Sequence, residues 1–300
     1  MELSVIILSY NSKADLQRLL PSIFRSEGFL FDPRPAVQGS VNGFYAEVII
    51  IDNGSTDGTR EWLKESQDEM LQNLKIIFNQ NNGFAKGNNL GIKHARGRYL
   101  LVLNPDTELQ PSTLKTMLGF MEKHSNIGIS TCKVMLPDGR LDLACRRRFP
   151  NPWNSFKRLF LKSNADYNFT DMDENQSLEI DSCMGAFMMI RRLASMPGLF
   201  DEDFFMYGED LDLCWRAKEA GFKVWYYPET SIVHYKGSSS KKTPFRALKW
   251  FHDAMWVFYQ KHYGNRYPFW FGWIVWLGIY CRLVILWAIN FFRREKFVSK

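Results

Sequence analysis

The sequence predicts a mixed α/β fold: a largely parallel sheet flanked by helices, with a hydrophobic helical extension at the C-terminus. Three observations predict it. Short apolar, β-branched runs recur over the first 134 residues, each about the length of one strand. Helix-period segments lie between them, and such alternation builds a parallel sheet covered on both faces. The texture then changes near the end, where residues 267–292 are almost wholly apolar. With 46% hydrophobic and 23% charged residues the chain lies in the ordinary globular range, so a sizeable core is expected.

The strand-like runs are Leu3–Leu8, Glu47–Ile51, Leu74–Phe78, Tyr99–Leu103 and Ile127–Val134. Helices are expected near 13–25, 57–72, 84–96 and 111–124. Ser55-Thr56-Asp57 supplies capping oxygens before the second, and Pro111-Ser112 heads the fourth. Pro137-Asp138-Gly139 signals a turn. Residues 150–178 are polar and aperiodic, and read as an insertion or surface loop. Two short strands are expected around Gly185 within Glu179–Arg191, then a helix near 208–220 closed by Gly221. A strand over Lys223–Tyr227 and a Gly/Ser/Lys loop over 236–243 follow. Residues 244–263 suit an amphipathic helix with an aromatic face. The chain thus divides into a domain over 1–243 and membrane-associating helices over 244–300.

A net charge of +6 favours anionic partners, although a solvated surface accounts for it equally well. The five cysteines have no CxxC spacing and read as reduced, mostly buried thiols. The first residues lack a basic leader segment, so no secretory signal is expected. The run 267–292 is long enough to span a bilayer. Arg282 within it would cost about 2.5–3.5 kcal/mol at a helix centre, and a single span from a cytosolic domain would export the basic tail. A helix lying on, or re-entering, the cytoplasmic face of the membrane is therefore preferred, with Trp anchors and basic residues at anionic headgroups. A single span, a buried core helix and a dimer interface are the alternatives.

Three acidic segments carry the chemistry. Ile49-Ile50-Ile51-Asp52-Asn53-Gly54 delivers a carboxylate at a strand's C-terminal end, where open α/β sheets bind ligands. Asp52 either contacts a nucleoside or belongs to the helix cap. Leu101-Val102-Leu103-Asn104-Pro105-Asp106-Thr107-Glu108 ends a second strand in acids. There Asp106, helped by Asn104 or Glu108, suits a Mg²⁺ or Mn²⁺ ion that neutralises a diphosphate, or forms an Asx-turn. In Tyr207-Gly208-Glu209-Asp210-Leu211-Asp212, acids open a helix among aromatics. Glu209 and Asp210 offer a general base or merely favour the helix dipole, and Asp212 is expected to pair with Arg216.

Five segments in order resemble the family 2 inverting glycosyltransferases of the GT-A fold, and most of all their rhamnosyltransferase-like branch. They are Val5-Ile6-Ile7-Leu8-Ser9-Tyr10-Asn11, Ile51–Thr59, Asn81–Asn89, Leu103–Glu108 and Phe204–Arg216, within a resemblance over residues 3 to about 235. The resemblance implies that Asp52 binds the nucleoside, with Ser9 and Asn11 beside the nucleotide-sugar and Gly83 and Asn88 lining the nucleotide loop. Asn104-Pro105-Asp106 stands in the place of the family's DxD, which makes Asp106 the ligand of a divalent cation and His234 a further contact. Asn104 there removes one anionic ligand. Asp210 would be the catalytic base, assisted by Glu209, and Gly185 would leave room for the donor sugar. The implied donor is a nucleoside-diphosphate sugar. The implied acceptor is a glycan or a polyprenyl-diphosphate-linked glycan of the cell envelope.

Arg146-Arg147-Arg148 and Lys236, Lys241 and Lys242 are expected either to meet these phosphates or to lie on solvated loops. A dinucleotide oxidoreductase would need GxGxxG after the first strand, and Leu8-Ser9-Tyr10-Asn11-Ser12 has none. A nucleic-acid binder is disfavoured because no basic patch interleaved with aromatics is present. A non-catalytic nucleotide-sugar-binding protein of the same fold is the alternative function.

Overall fold

The computed structural model describes residues 1–31, 43–66, 74–151, 153–155, 157, 167–193, 195, 199–236 and 244–293. Its first half is built on predominantly apolar strands. β1 (Leu3–Ser9) lies between β3 (Phe44–Asp52) and β5 (Tyr99–Leu103), parallel to both. Val5, Ile6, Ile7, Val48, Ile49 and Ile50 are fully buried, so these strands are covered on both faces and need no polar alternation. Ser9 is in register with Asp52, and Ile7 with Leu103, which brings the C-terminal ends of all three strands to one edge. β2 (Phe29–Phe31) and β4 (Leu74–Phe78) pair with β3 in parallel.

The returning helices are α1 (Lys13–Phe24), α2 (Thr59–Ser66), α3 (Phe84–His94) and α4 (Thr113–Lys123). Asp57 caps α2 by accepting from the Thr59 N–H at 3.1 Å. The expected helix over 57–72 is seen as far as Ser66, and its last residues lie outside the described ones.

The second half mixes directions. β6 (Thr107–Leu109), β7 (Ile127–Met135), β8 (Leu178–Ile180), β9 (Phe187–Arg191) and β10 (Lys223–His234) complete a ten-stranded sheet. β9 is antiparallel to both β5 and β7, so it reverses the sheet's polarity at its middle. β10 runs parallel to β7 and then pairs antiparallel with β6. The sequence predicts this strand only over Lys223–Tyr227, and Pro228, which lacks a ladder donor, comes next. The chain absorbs Pro228 in an irregularity between Tyr227 and Ser231 and continues to His234.

α5 (Glu209–Glu219) ends in a Schellman motif: Phe222 N–H donates to Ala217 C=O and Gly221 N–H to Lys218 C=O, both at 3.0 Å, with Gly221 at φ +86°. α6 (Pro244–His262) and α7 (Phe269–Phe292) follow. α6 does not stand apart from the preceding fold. Its Ala254 and Phe258 share a small second core with Phe204 and Trp215, so the boundary expected at 243 divides two elements that are packed together.

α7 rests on α6 as an antiparallel partner. Trp287 Nε1 donates to Phe245 C=O, Arg282 Nη1 to His252 Nε2 at 2.8 Å, and Tyr280 Oη to Asp253 at 3.1 Å. Burial of His252 pushes its imidazole down to about 4, and the Arg282 charge adds to this. The neutral ring therefore donates from Nδ1 to Leu248 C=O and accepts from Arg282. The arginine that argues against a spanning helix is thus held by a side chain of α6.

Candidate active site at the sheet edge

The strand ends are braced by a web of short polar side chains. Asn11, at φ +55°, accepts from Thr56 N–H at 2.7 Å through Oδ1, while its own N–H donates to Ser55 Oγ at 2.9 Å. Its side chain is thus engaged in holding the 53–57 turn. Asp52 is fully buried, accepts from Ser55 N–H and pairs with Arg60 Nε at 2.8 Å. Arg60 also donates to Asn79 C=O at 2.7 Å, tying the ends of β3 and β4 to α2. Ser9, in register with Asp52, is fully buried, and its hydroxyl has no hydrogen-bond partner among the described residues. The same holds for Asn88 Oδ1, although Asn88 Nδ2 donates to Phe84 C=O. Buried polar atoms left this way are costly in an apolar setting and suit a ligand's donors.

The loop before α3 is fixed to the loop before α5. Asn81 Oδ1 accepts from both Asn53 Nδ2 and Gly83 N–H, each at 3.2 Å. Phe84 N–H donates to Phe205 C=O at 2.7 Å. Gly83 is at φ +92°, and a Cβ there would lie 2.4 Å from that same carbonyl oxygen. Only glycine fits both demands. Gly185 has a different neighbour: a Cβ on it would meet the Phe84 ring at 3.0 Å.

Asp106 and His234 are brought together by the β6–β10 pairing, in which His234 is in register with Thr107. His234 Nε2 lies 3.3 Å from Asp106 Oδ1, and Nδ1 lies 3.2 Å from Asp142 Oδ2. Lys236 Nζ donates to the other Asp142 oxygen at 2.7 Å. Burial alone would lower the His234 imidazole, but its hydrogen bonds to Asp106 and Asp142 outweigh that and push it up to about 9. Glu108, the other acid of this segment, accepts from Tyr235 Oη at 2.7 Å. Sequence reasoning missed Asp142 altogether, because nothing in Leu141-Asp142-Leu143 marks it as a partner of a residue 92 positions later.

Among the described residues no group of three or more His, Cys, Asp or Glu side chains is arranged to hold a metal ion. The oxygen and imidazole nitrogen of Asp106 and His234 are donors that Mn²⁺ accepts, and a substrate diphosphate commonly completes such a shell. Asp106 therefore fits a cation bound together with substrate, and His234 fits it once Nε2 gives up the proton it shares with Asp106.

At the start of α5, Glu209 and Asp210 are both buried. Asp210 Oδ1 accepts from Leu211 N–H at 2.7 Å and Oδ2 from Arg147 Nη2 at 2.8 Å. Glu209 Oε2 has no partner among the described residues. Burial first, and the Asp210 charge second, push its carboxyl up to about 8. Asp212 pairs with Arg216 at 2.7 Å as its spacing predicts, and also with His262 of α6 at 2.9 Å.

The three arginines expected to meet phosphates are held by the protein itself. Arg146 donates to the carbonyls of Met172 and Asp173, Arg147 to Asp210, and Arg148 to Asp171. Lys236 is paired with Asp142, and Lys241 and Lys242 lie outside the described residues.

Residues 4–195 match the model of the glycosyl transferase family 2. The chain is 24% identical over 292 residues to N-acetylglucosaminyl-diphospho-decaprenol L-rhamnosyltransferase of Mycobacterium tuberculosis, a match covering 85% of this chain and 83% of that one. It is 26% identical over 177 residues to rhamnosyltransferase WbbL of Escherichia coli, covering 56% and 66%. Among solved structures, residues 1–349 of S. aureus TarS superpose with a TM-score of 0.55 at 17% identity, over 97% of this chain and 74% of that chain. The mannosyltransferase PcManGT of Pyrobaculum calidifontis, solved with GDP-Man and Mn²⁺, also gives 0.55 at 17% identity, over 96% and 72%. These likenesses match the GT-A expectation for the fold.

Proposed function

Because this chain belongs to glycosyl transferase family 2, we propose that it is an inverting enzyme of cell-envelope polysaccharide synthesis. It moves a sugar, rhamnose or a related hexose, from a nucleoside diphosphate to a hydroxyl of a glycan or polyprenyl-diphosphate-linked acceptor. The observation that carries the reading is the convergence of Ser9, Asp52 and Asn104 at one edge of three parallel strands. The names of the rhamnosyltransferase relatives support the donor class, and the decaprenol in one of them supports the acceptor class.

Asp52 and the Asn53–Asn81 web would receive the nucleoside, and the buried Ser9 hydroxyl and Asn88 carbonyl would gain partners from it. Asp106 and His234 would hold a divalent cation, which when bound supplies positive charge to the leaving diphosphate. Asp210 accepts the proton of the acceptor hydroxyl as that oxygen attacks the anomeric carbon, and the bond to the diphosphate breaks on the opposite face. One displacement inverts the configuration and needs no covalent intermediate.

The test is a panel of nucleotide sugars incubated with purified protein and membrane lipid acceptors, reading nucleoside diphosphate release and the product's anomeric configuration by NMR. Release that disappears in Asp106→Asn, with inverted product, is expected. Retained configuration, or full turnover by that variant, would sink the mechanism.

α7 is the proposed attachment to the cytoplasmic face of a membrane. It is long and apolar enough to cross one, yet it leaves Trp270, Trp273, Ile274, Leu277, Val284 and Ile285 exposed along a side turned away from α6. Its contacts along α6 support a helix lying with its partner at the surface rather than an isolated span. Flotation with vesicles containing anionic phospholipid is the expected result, and failure to float would remove the attachment.

A further inference from the structure

Arg147 sits at a junction that the expected reaction leaves unused. Its backbone is clamped to the segment before Gly185: Arg147 N–H donates to Ser182 C=O and Ser182 N–H to Arg147 C=O, both at 2.9 Å. Its terminal nitrogen Nη2 then makes two bonds, to Cys183 C=O at 2.6 Å and to Asp210 Oδ2 at 2.8 Å. Both charged side chains are nearly closed to solvent, at 11% and 10% exposure. The same loop that carries Gly185 is joined to the Asn104 end of β5, since Asn104 N–H donates to Ala186 C=O at 3.1 Å. One guanidinium therefore links the start of α5 to the loop that borders the strand edge.

Two adjacent buried carboxylates cannot both ionise cheaply, and the one with a cation beside it takes the charge. We propose that Arg147 is a positioning residue for the reaction: it sets a buried countercharge beside Asp210 and holds that carboxylate against the Cys183–Gly185 segment. Asp210's assignment as the base, on which this rests, is the one made under the proposed function. The geometry accounts for both neighbours. Asp210 has a partner for each oxygen, whereas Glu209 Oε2 has none among the described residues, as a protonated carboxyl tolerates. Burial opposes Arg147's own charge, and Asp210 more than restores it. The remaining titratable groups around the pair are Tyr167, the buried thiols Cys183 and Cys214, and Asp212. Asp212 is already paired with Arg216 and His262, so it does not compete for Arg147.

The experiment compares Arg147→Gln, Arg147→Lys and Asp210→Asn in the full chain, each checked for folding by thermal melt. The readouts are the pH profile of kcat/KM, kcat and acceptor KM separately, and the affinity for UDP and dTDP with Mn²⁺. In Arg147→Gln kcat is expected to fall at unchanged acceptor KM and the acidic limb to move up, as removal of a neighbouring opposite charge does. Nucleoside diphosphate affinity is expected to stay unchanged, and Arg147→Lys to bring the limb back toward wild type. An unmoved limb in a folded Arg147→Gln protein overturns the inference. If Arg147→Gln does not fold, Arg147→Lys decides alone: a lowered kcat at unchanged acceptor KM upholds it, and a raised acceptor KM at unchanged kcat overturns it. Full turnover by Asp210→Asn would instead remove the base assignment. An inactive Asp210→Asn with an unmoved Arg147→Gln limb removes only the role of Arg147.

Discussion

At the strand edge, Asp52 meets Arg60 eight residues later, and the loops that brace it come from consecutive strand–helix connections. At the start of α5, Asp210 meets Arg147 from 63 residues earlier, and Asp212 meets His262 from 50 residues later. The first region is assembled locally by the parallel-sheet pattern. The second depends on an irregular segment and on a helix that follows the sheet. Local assembly gives a receptive edge whose Ser9 hydroxyl and Asn88 Oδ1 lack partners among the described residues. Long-range assembly gives a closed, charge-paired centre. Under the proposed function both are needed, since the donor must enter while the reacting groups stay fixed in place.

Each region can be perturbed separately, and the largest effect is expected at the closed one. Asp210→Asn should lower turnover by about 10²–10⁴-fold, the usual contribution of a general base, with nucleoside diphosphate binding retained. Turnover assays and calorimetry on the same preparation check this. Phe258→Ala removes a ring from the small core that joins α5 to α6 and should cost about 3–5 kcal/mol. Chemical denaturation reads it, and a loss far below that would mean the α5 region stands without α6.

Glu209→Gln sharpens the comparison through pH. The Glu209 carboxyl is raised from 4.5 to about 8 on folding, so across that window the native state binds more protons than the unfolded chain. Stability therefore falls as pH rises through the window, by at most about 1.4 kcal/mol per pH unit from this group, and levels off above it. The glutamine variant should lack this component. Denaturant midpoints at both ends of the window, compared with wild type, measure the difference. Trp273→Ser gives the smallest effect on folding: the side chain is 68% exposed, so stability should change by less than about 0.5 kcal/mol while vesicle flotation weakens.

The same contrast explains what can be read from the residues alone. Strands 74–78 and 99–103 coincide with their predicted bounds, because short, predominantly apolar runs between helix-period segments leave little choice of element. The Asp212–Arg216 pair is also legible, being one helical turn. The three-residue strands β2 and β6 are not, since so short a run lacks a period. The extension of β10 through Pro228 is hidden by a residue that ordinarily ends strands, although it is what carries His234 to Asp106. Arg147 reads as one of three equivalent cations, and the Ser182 bridge with the bonds to Cys183 and Asp210 singles it out.

The contact between Gly83 and the Phe205 carbonyl has a consequence for how such a chain can diversify. Gly83 and Phe84 meet Phe205 backbone to backbone, and the Phe205 ring stands beside the same contact, leaving no room for a side chain at position 83. The two loops therefore behave as one heritable piece split across the gene. A chimera that imported only one of them from a relative would succeed where the incoming loop keeps glycine and the same carbonyl path. Recombination that reshapes either loop of this chain should accordingly exchange both segments together.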